Sequence, residues 1–398
     1  MIHKWLRDTF FQHGWLLPAV LVLTQLGGRG LYNTLAGFYA LWGLLSLCGC
    51  RHRLDRLTTL LYLALLAVFL VGIPGAMHPK EGLRAWLGFL APSLAILLVQ
   101  AALWESSNTL DRLLGGIALF GGVTLLGLYL LLLYHGLGLS GRPFDPSTQL
   151  REDELPFLLP FLLAWIWWRD TGAWRYWSMA GVVVAVLTYV VIAEGRAALL
   201  GVILALAVFA KLVLAWRWRW IAALATLVLI VAIGIHSGPF RKVDLDPKQP
   251  LDAFTAGRTA LWRQALEHPP KRLWLGVGLG NGRYATEILH FELGGVHTQV
   301  QHLHNFLMDV WYETGILGAG SLLALIGAVF WRLSQRWRLL SVRDRQRAGV
   351  LLAAALAILG AALFSFSYTS RHFAYLFVCF GALIYLSNPV IGAKHQDR

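Results

Sequence analysis

Cysteine is scarce. Cys48, Cys50 and Cys379 are all that the chain contains, and their spacing supplies neither a disulfide framework nor a four-ligand zinc site. Charge is scarce as well: only 14% of the 398 residues are Asp, Glu, Lys or Arg, where a soluble domain carries about a quarter. That shortage excludes the two or three soluble domains suggested by length alone. Charges are almost missing from the apolar stretches, which argues against a proton- or ion-coupled transporter, because such proteins keep ionisable groups near the bilayer midplane. No nucleic-acid-binding module accompanies the net charge of +13, so nucleic acid is a poor partner and anionic membrane lipid the plain one. The glycines of "GVGLGNG", 276–282, do not follow the G-x-G-x-x-G order and have no strand–helix unit around them; they read as a flexible turn.

What the sequence has in abundance is apolar length. Hydrophobic residues make up 57% of it and mean hydropathy is +0.60. Runs of about 20 apolar residues recur from end to end, each long enough to cross a bilayer core. The expected fold is an all-α polytopic membrane protein with about twelve spans, near 14–28, 31–49, 58–77, 85–104, 114–136, 153–168, 177–193, 196–215, 219–236, 305–331, 348–368 and 372–391. "MIHKWLRDTFFQHGW" has basic residues ahead of an apolar run and no small-residue cleavage site, and reads as a retained signal anchor. Basic residues gather in alternate loops ("RHRLDR", "RLSQRWRLLSVRDRQR"), which puts both termini in the cytoplasm. Three regions follow: helices over 1–236, a long outer loop over 237–303, and helices with a tail over 304–398.

The polar chemistry collects at the outer helix ends and in that loop, which exceeds ordinary connection lengths. Helical spacing is expected over 257–267, ended by Pro269-Pro270, and a second short amphipathic helix from Arg283 to Leu293, closed by Gly294-Gly295. Asp244 and Asp246 are the spacing of a metal-binding acidic pair, but beside Arg241 and Lys242 they read better as ordinary loop carboxylates. Arg196 stands in a tight turn between two apolar spans, where a fixed role and simple snorkelling to lipid phosphate are both open. Arg258 falls in the first turn of the loop helix, a place that suits an anion; a solvated charge is the plain alternative. In "QHLHNFLMDV" His302 and His304 precede Asn305 at the start of a span, and Asn305, Asp309 and Glu313 form a polar stripe along it. Glu313 is placed to pair with an outer arginine such as Arg196. His290, His297, His302 and His304 are close in sequence but match no common zinc spacing, so no metal site is expected.

Together, "EGRAALLG" at a tight turn, "GRTALW" in a long loop and "HNFLMDVWYETGILG" at the next span resemble the O-antigen ligase family of the wider O-antigen ligase and polymerase superfamily. The resemblance implies a glycosyltransferase of GT-C-like architecture with a partly helical periplasmic loop, set in the bacterial inner membrane with its site facing the periplasm. It implies transfer of a glycan from undecaprenyl diphosphate to a sugar hydroxyl of the lipid A core oligosaccharide, as an inverting displacement needing neither metal nor cofactor. Arg196 and Arg258 would then hold the diphosphate, and His304 would activate the acceptor hydroxyl, with His302 shaping the pocket and Asn305 and Glu313 in the binding set. Lys80 and Arg84, at the outer end of the fourth span, are carrier-binding or anchoring cations, and Arg142 is a weaker member of the same set. Trp262 and Trp311 are candidates to stack on sugar rings. A polymerase or a protein O-oligosaccharyltransferase would share this chemistry with another acceptor. A lipid-linked oligosaccharide flippase would need the arginines but not His304.

Overall fold

A computed structural model describes residues 2–26, 29–47, 54–104, 107–139, 153–193, 195–217, 258–285, 290–293 and 296–388. The expected span at 219–236, and with it Arg142, Asp244, Asp246, Cys48 and Cys50, lies outside the described residues. Among those described, the elements in chain order are α1 (Ile2–His13), α2 (Leu16–Val20), α3 (Arg29–Leu47), α4 (Arg56–Val71), α5 (Pro79–Ser93), α6 (Ala95–Leu103), α7 (Ser107–Gly136), α8 (Leu155–Arg169), α9 (Trp174–Ile192), α10 (Arg196–Leu212) and α11 (Arg258–Glu267). A hairpin follows, β1 (His290–Leu293) and β2 (Val296–Gln299), then α12 (Phe306–Arg336), α13 (Val342–Ala362) and α14 (His372–Ser387). The protein is helical, as its composition demands. Among the described residues, five stretches are long and apolar enough to cross a membrane: Pro79–Leu103, Asn108–Gly136, Trp174–Ile192, Phe306–Leu339 and Val342–Ala362. Helices α4, α8 and α14 are shorter and equally apolar.

Several expected boundaries move, each for a local reason. The segment expected as a first span, 14–28, is a five-residue helix followed by a 3-10 turn, Leu21–Gln25. Pro18 has no N–H to give the carbonyl of Gly14, so α1 cannot run on through it. The span expected at 348–368 is α13, which ends at Ala362 and leaves the hydroxyl-rich 363–371 as a loop. Where a second loop helix is expected, from Arg283 to Leu293, the described residues form a 3-10 turn at Gly282–Tyr284 and the strand β1, paired with β2. His290 pairs with Gln299 and Leu293 with Val296, antiparallel, so two glycines join the strands. A two-residue connection of that composition is a hairpin signal that overrides weak helical spacing.

Helix α14 is the centre of the bundle. All of it except Leu386 is buried, as befits a helix that is apolar all round, and it packs on α6, α12 and α13. Helix α10 lies along α13, where small residues let the backbones approach: a Cβ added at Gly360 would sit 2.2 Å from Leu204. The helices run so that two groups of termini meet at opposite ends. At one end Arg332 pairs with Asp55 at 3.1 Å and Arg343 with Asp111 at 2.9 Å. At the other, the loop 268–285 reaches α4 and α5 (Arg272 Nη2 donates to the Gly72 carbonyl at 3.3 Å, the His78 amide to Asn281 Oδ1 at 2.7 Å), and Arg371 pairs with Glu154 at 3.0 Å. The candidate residues collect there, at what is called the site end below.

Candidate functional site

The histidine segment is shaped by the start of α12. Asn305 is its N-cap, and its side-chain oxygen accepts from the amides of Leu307 at 3.0 Å and Met308 at 3.2 Å, the cap role expected of an asparagine before an apolar helix. The amide of Leu303 donates to Asp309 Oδ1 at 2.8 Å, and Trp262 of α11 donates its indole N–H to the Leu303 carbonyl at 2.8 Å. Trp262, a candidate for sugar stacking, thus clamps the histidine segment to α11 and packs its ring against Phe364. These anchors hold His304 in a left-handed backbone conformation, φ 53°, which costs a side-chain-bearing residue about 1 kcal/mol.

Within that frame the hydrogen bonds assign both imidazoles. His304 Nδ1 faces the Ser365 carbonyl at 2.9 Å; a carbonyl only accepts, so Nδ1 carries the proton and Nε2 keeps the lone pair. The His304 amide donates to His302 Nδ1 at 3.1 Å, and the two rings lie 4.1 Å apart. Burial, His304 and Arg258 together push His302 down to about 3. Its Nδ1 stands 3.8 Å from Asp309 Oδ2, but a neutral ring whose Nδ1 already accepts an amide proton makes no ion pair there. Burial and the nearby Arg258 charge also lower His304, against the opposing effect of its bond to Ser365. Both histidines are neutral at neutral pH.

Arg258 begins α11 and is half-buried beside these rings. Burial lowers its guanidinium, the charge of Asp153 raises it, and the charge of Arg196, at the start of α10, lowers it again. The structure therefore brings Arg196, Arg258, His302 and His304 together, from three elements far apart in sequence. Glu313 is elsewhere. Its carboxylate accepts from the amides of Gly280 at 2.7 Å and Gly282 at 3.1 Å and from the Tyr368 hydroxyl, so the expected pairing with Arg196 gives way to a cap on the glycine turn. Nor is that turn flexible. The Val277 and Gly278 amides donate to the carbonyls of Tyr312 and Glu313, and the Ile316 and Leu317 amides to those of Leu273 and Trp274, at a break in α12 where Gly315 has φ 67°. Lys80 is exposed in the first turn of α5, and Arg84 pairs with Glu81 at 2.6 Å, which also holds Arg283; both belong to the glycine-turn side.

Five residues that sequence reasoning did not single out complete the site. Ser365 donates its hydroxyl to Asp153 Oδ1 at 3.1 Å. Asp153 stands at the start of α8 next to Glu154, which Arg371 grips at 3.0 Å and His372 approaches at 3.3 Å. Burial raises Asp153, and the Glu154 charge adds to it, against His372, Ser365 and Arg258. Burial pushes Glu154 up too, but the bond and charge of His372 with the charge of Arg371 outweigh it, and the carboxyl lies below its usual range. The signal was present in "REDELPFLLPF", acids at the mouth of an apolar helix, where a carboxylate persists only if it is paired.

At one end of a helical bundle with membrane-length apolar helices, two arginines, a carboxylate pair and a neutral histidine lie together, a set of groups able to bind an anion and to accept a proton. Residues 181–323, a little over a third of the chain, match the family model described as O-antigen ligase. That stretch contains Arg196, Arg258, His302, His304, Asn305 and Glu313, and its match is consistent with the O-antigen ligase and polymerase superfamily. No curated protein matches the chain.

Proposed function

We propose that the protein is an O-antigen ligase of the bacterial inner membrane, with about twelve spans, cytoplasmic termini and its site on the periplasmic side. It transfers a glycan from undecaprenyl diphosphate to a sugar hydroxyl of the lipid A core. One observation carries the reading: Ser365 fixes His304 as the Nδ1–H tautomer beside Arg258 and Arg196, so a proton acceptor and paired cations share one site.

In the proposed reaction His304 Nε2 takes the proton of the acceptor hydroxyl as its oxygen bonds to the anomeric carbon. The bond from that carbon to the diphosphate oxygen breaks, and its electron pair leaves with the lipid diphosphate. Arg196 and Arg258 offset the charge that grows there, each guanidinium offering a fork of donors to phosphate oxygens. Attack opposite to the leaving group inverts the anomeric centre. Lys80 and Arg84, and Arg142 in the same set, guide the carrier from the membrane, and His302 packs the base in place.

The test is glycan transfer in detergent from a lipid-linked donor, with lipid A core as acceptor. His304→Ala is expected to lose transfer by about 100-fold or more while undecaprenyl diphosphate still binds. Undiminished transfer would sink the base assignment. Transfer to a second carrier-linked glycan in preference to the core would make the enzyme a polymerase.

A further inference from the structure

Ser365 touches two residues with its two oxygens. Its carbonyl accepts from His304 Nδ1 at 2.9 Å, and its hydroxyl donates to Asp153 at 3.1 Å. We infer that Asp153 is a positioning residue for His304, acting through Ser365; this rests on the reading of His304 as the base.

The need for such a residue follows from the local backbone. Ser365 lies past the end of α13, in the loop 363–371, so no helical hydrogen bond fixes the direction of its carbonyl. His304 holds an uncommon left-handed conformation, and a ring on such a backbone keeps its aim only while its partner stays put. The acid pair at the start of α8 supplies two anchors for that loop. Asp153 ties down Ser365 near its beginning, and Glu154 ties down Arg371 and His372 at its end. Arg258 faces Asp153, so the carboxylate has a counter-charge and the anchor is compatible with burial. A carboxylate beside Arg258 has a simpler alternative role, as a resting counter-ion that the diphosphate displaces. The two roles differ in what they predict.

The experiment is steady-state transfer by the full chain, with undecaprenyl diphosphate affinity measured separately. If Asp153 works through Ser365, Ser365→Ala lowers kcat on the order of tenfold to a hundredfold and leaves the carrier KM and undecaprenyl diphosphate affinity alone. Ser365→Thr, which keeps the hydroxyl, recovers most of the rate. Asp153→Ala lowers kcat to a similar degree, Asp153→Asn keeps an acceptor for Ser365 and loses little, and the double alanine variant is no worse than Asp153→Ala. Retained undecaprenyl diphosphate affinity shows that each variant is folded. The proposal is overturned if Ser365→Ala keeps full kcat, if the two losses multiply, or if Asp153→Ala and Asp153→Asn change carrier affinity alone. His304→Gln separates the two claims. If it is inactive while Ser365→Ala is normal, only the positioning role fails; if it is active, the base assignment falls and this role with it.

Discussion

Ser365 offers His304 Nδ1 an acceptor that cannot donate, so the tautomer is decided by one backbone carbonyl. The same contact sets an expectation for pH. Burial and Arg258 place the His304 pKa below the ordinary 6.5, and a general base works in its neutral form. The rate should therefore be level around pH 7 and decline only as the pH falls through the lowered His304 value, giving an acid limb below 6.5 in kcat/KM, which reports the free enzyme. A limb centred at or above 6.5 in a pH–rate profile would contradict the neutral, buried base. His304, Arg196 and Arg258 stood out in the sequence through the resemblance carried by "EGRAALLG", "GRTALW" and "HNFLMDVWYETGILG"; read alone, Arg196 left snorkelling open and Arg258 a solvated charge. Asp153 and Ser365 were hidden because each fell inside an expected span, 153–168 and 348–368.

At the scale of elements, the break in α12 shows where periodicity stops being informative. "ETGILGAG" continues the apolar pattern of a span, yet Gly315 leaves the helical region, and the turn segment 273–278 satisfies the backbone groups that the break exposes. A buried, non-helical backbone needs such partners. The glycines are specific to their places. A Cβ at Gly315 would lie 2.3 Å from the Trp274 carbonyl carbon, and one at Gly276 equally close to Glu313, each at positive φ. Gly320, five residues on in the same helix, has nothing within 4 Å. Gly315→Ala should lower stability by roughly 1–3 kcal/mol, read as a lower Tm in detergent, whereas Gly320→Ala should not lower it. Equal Tm for the two variants would mean that the docked loop contributes nothing. No sequence pattern announced this contact, because it joins two irregular backbones and involves few side chains. The α11 helix, by contrast, was readable from its own spacing and its Pro-Pro stop.

For the whole molecule, the separation of charge between the two ends is the feature that composition had already suggested. One end carries the run of arginines from Arg332 to Arg347, several bound to Asp55, Asp111 and Asp344. The site end carries Arg196, Arg258 and Arg371 set against Asp153 and Glu154. Lys and Arg near helix ends favour the cytoplasmic side during insertion, and neighbouring acids count for little, so the end with the longer run of basic residues is the one expected inside. On the positive-inside rule the Arg332–Arg347 end would face the cytoplasm, which is the orientation proposed above. The orientation is testable without any activity assay. In a variant with Cys48, Cys50 and Cys379 replaced, Lys271→Cys on the exposed part of the site-end loop should react with a membrane-impermeant maleimide in intact spheroplasts. Val342→Cys, 73% exposed at the opposite end, should react only after lysis. The reverse pattern would turn the molecule over, and would put His304 and its arginines on the side where the positive-inside rule forbids them.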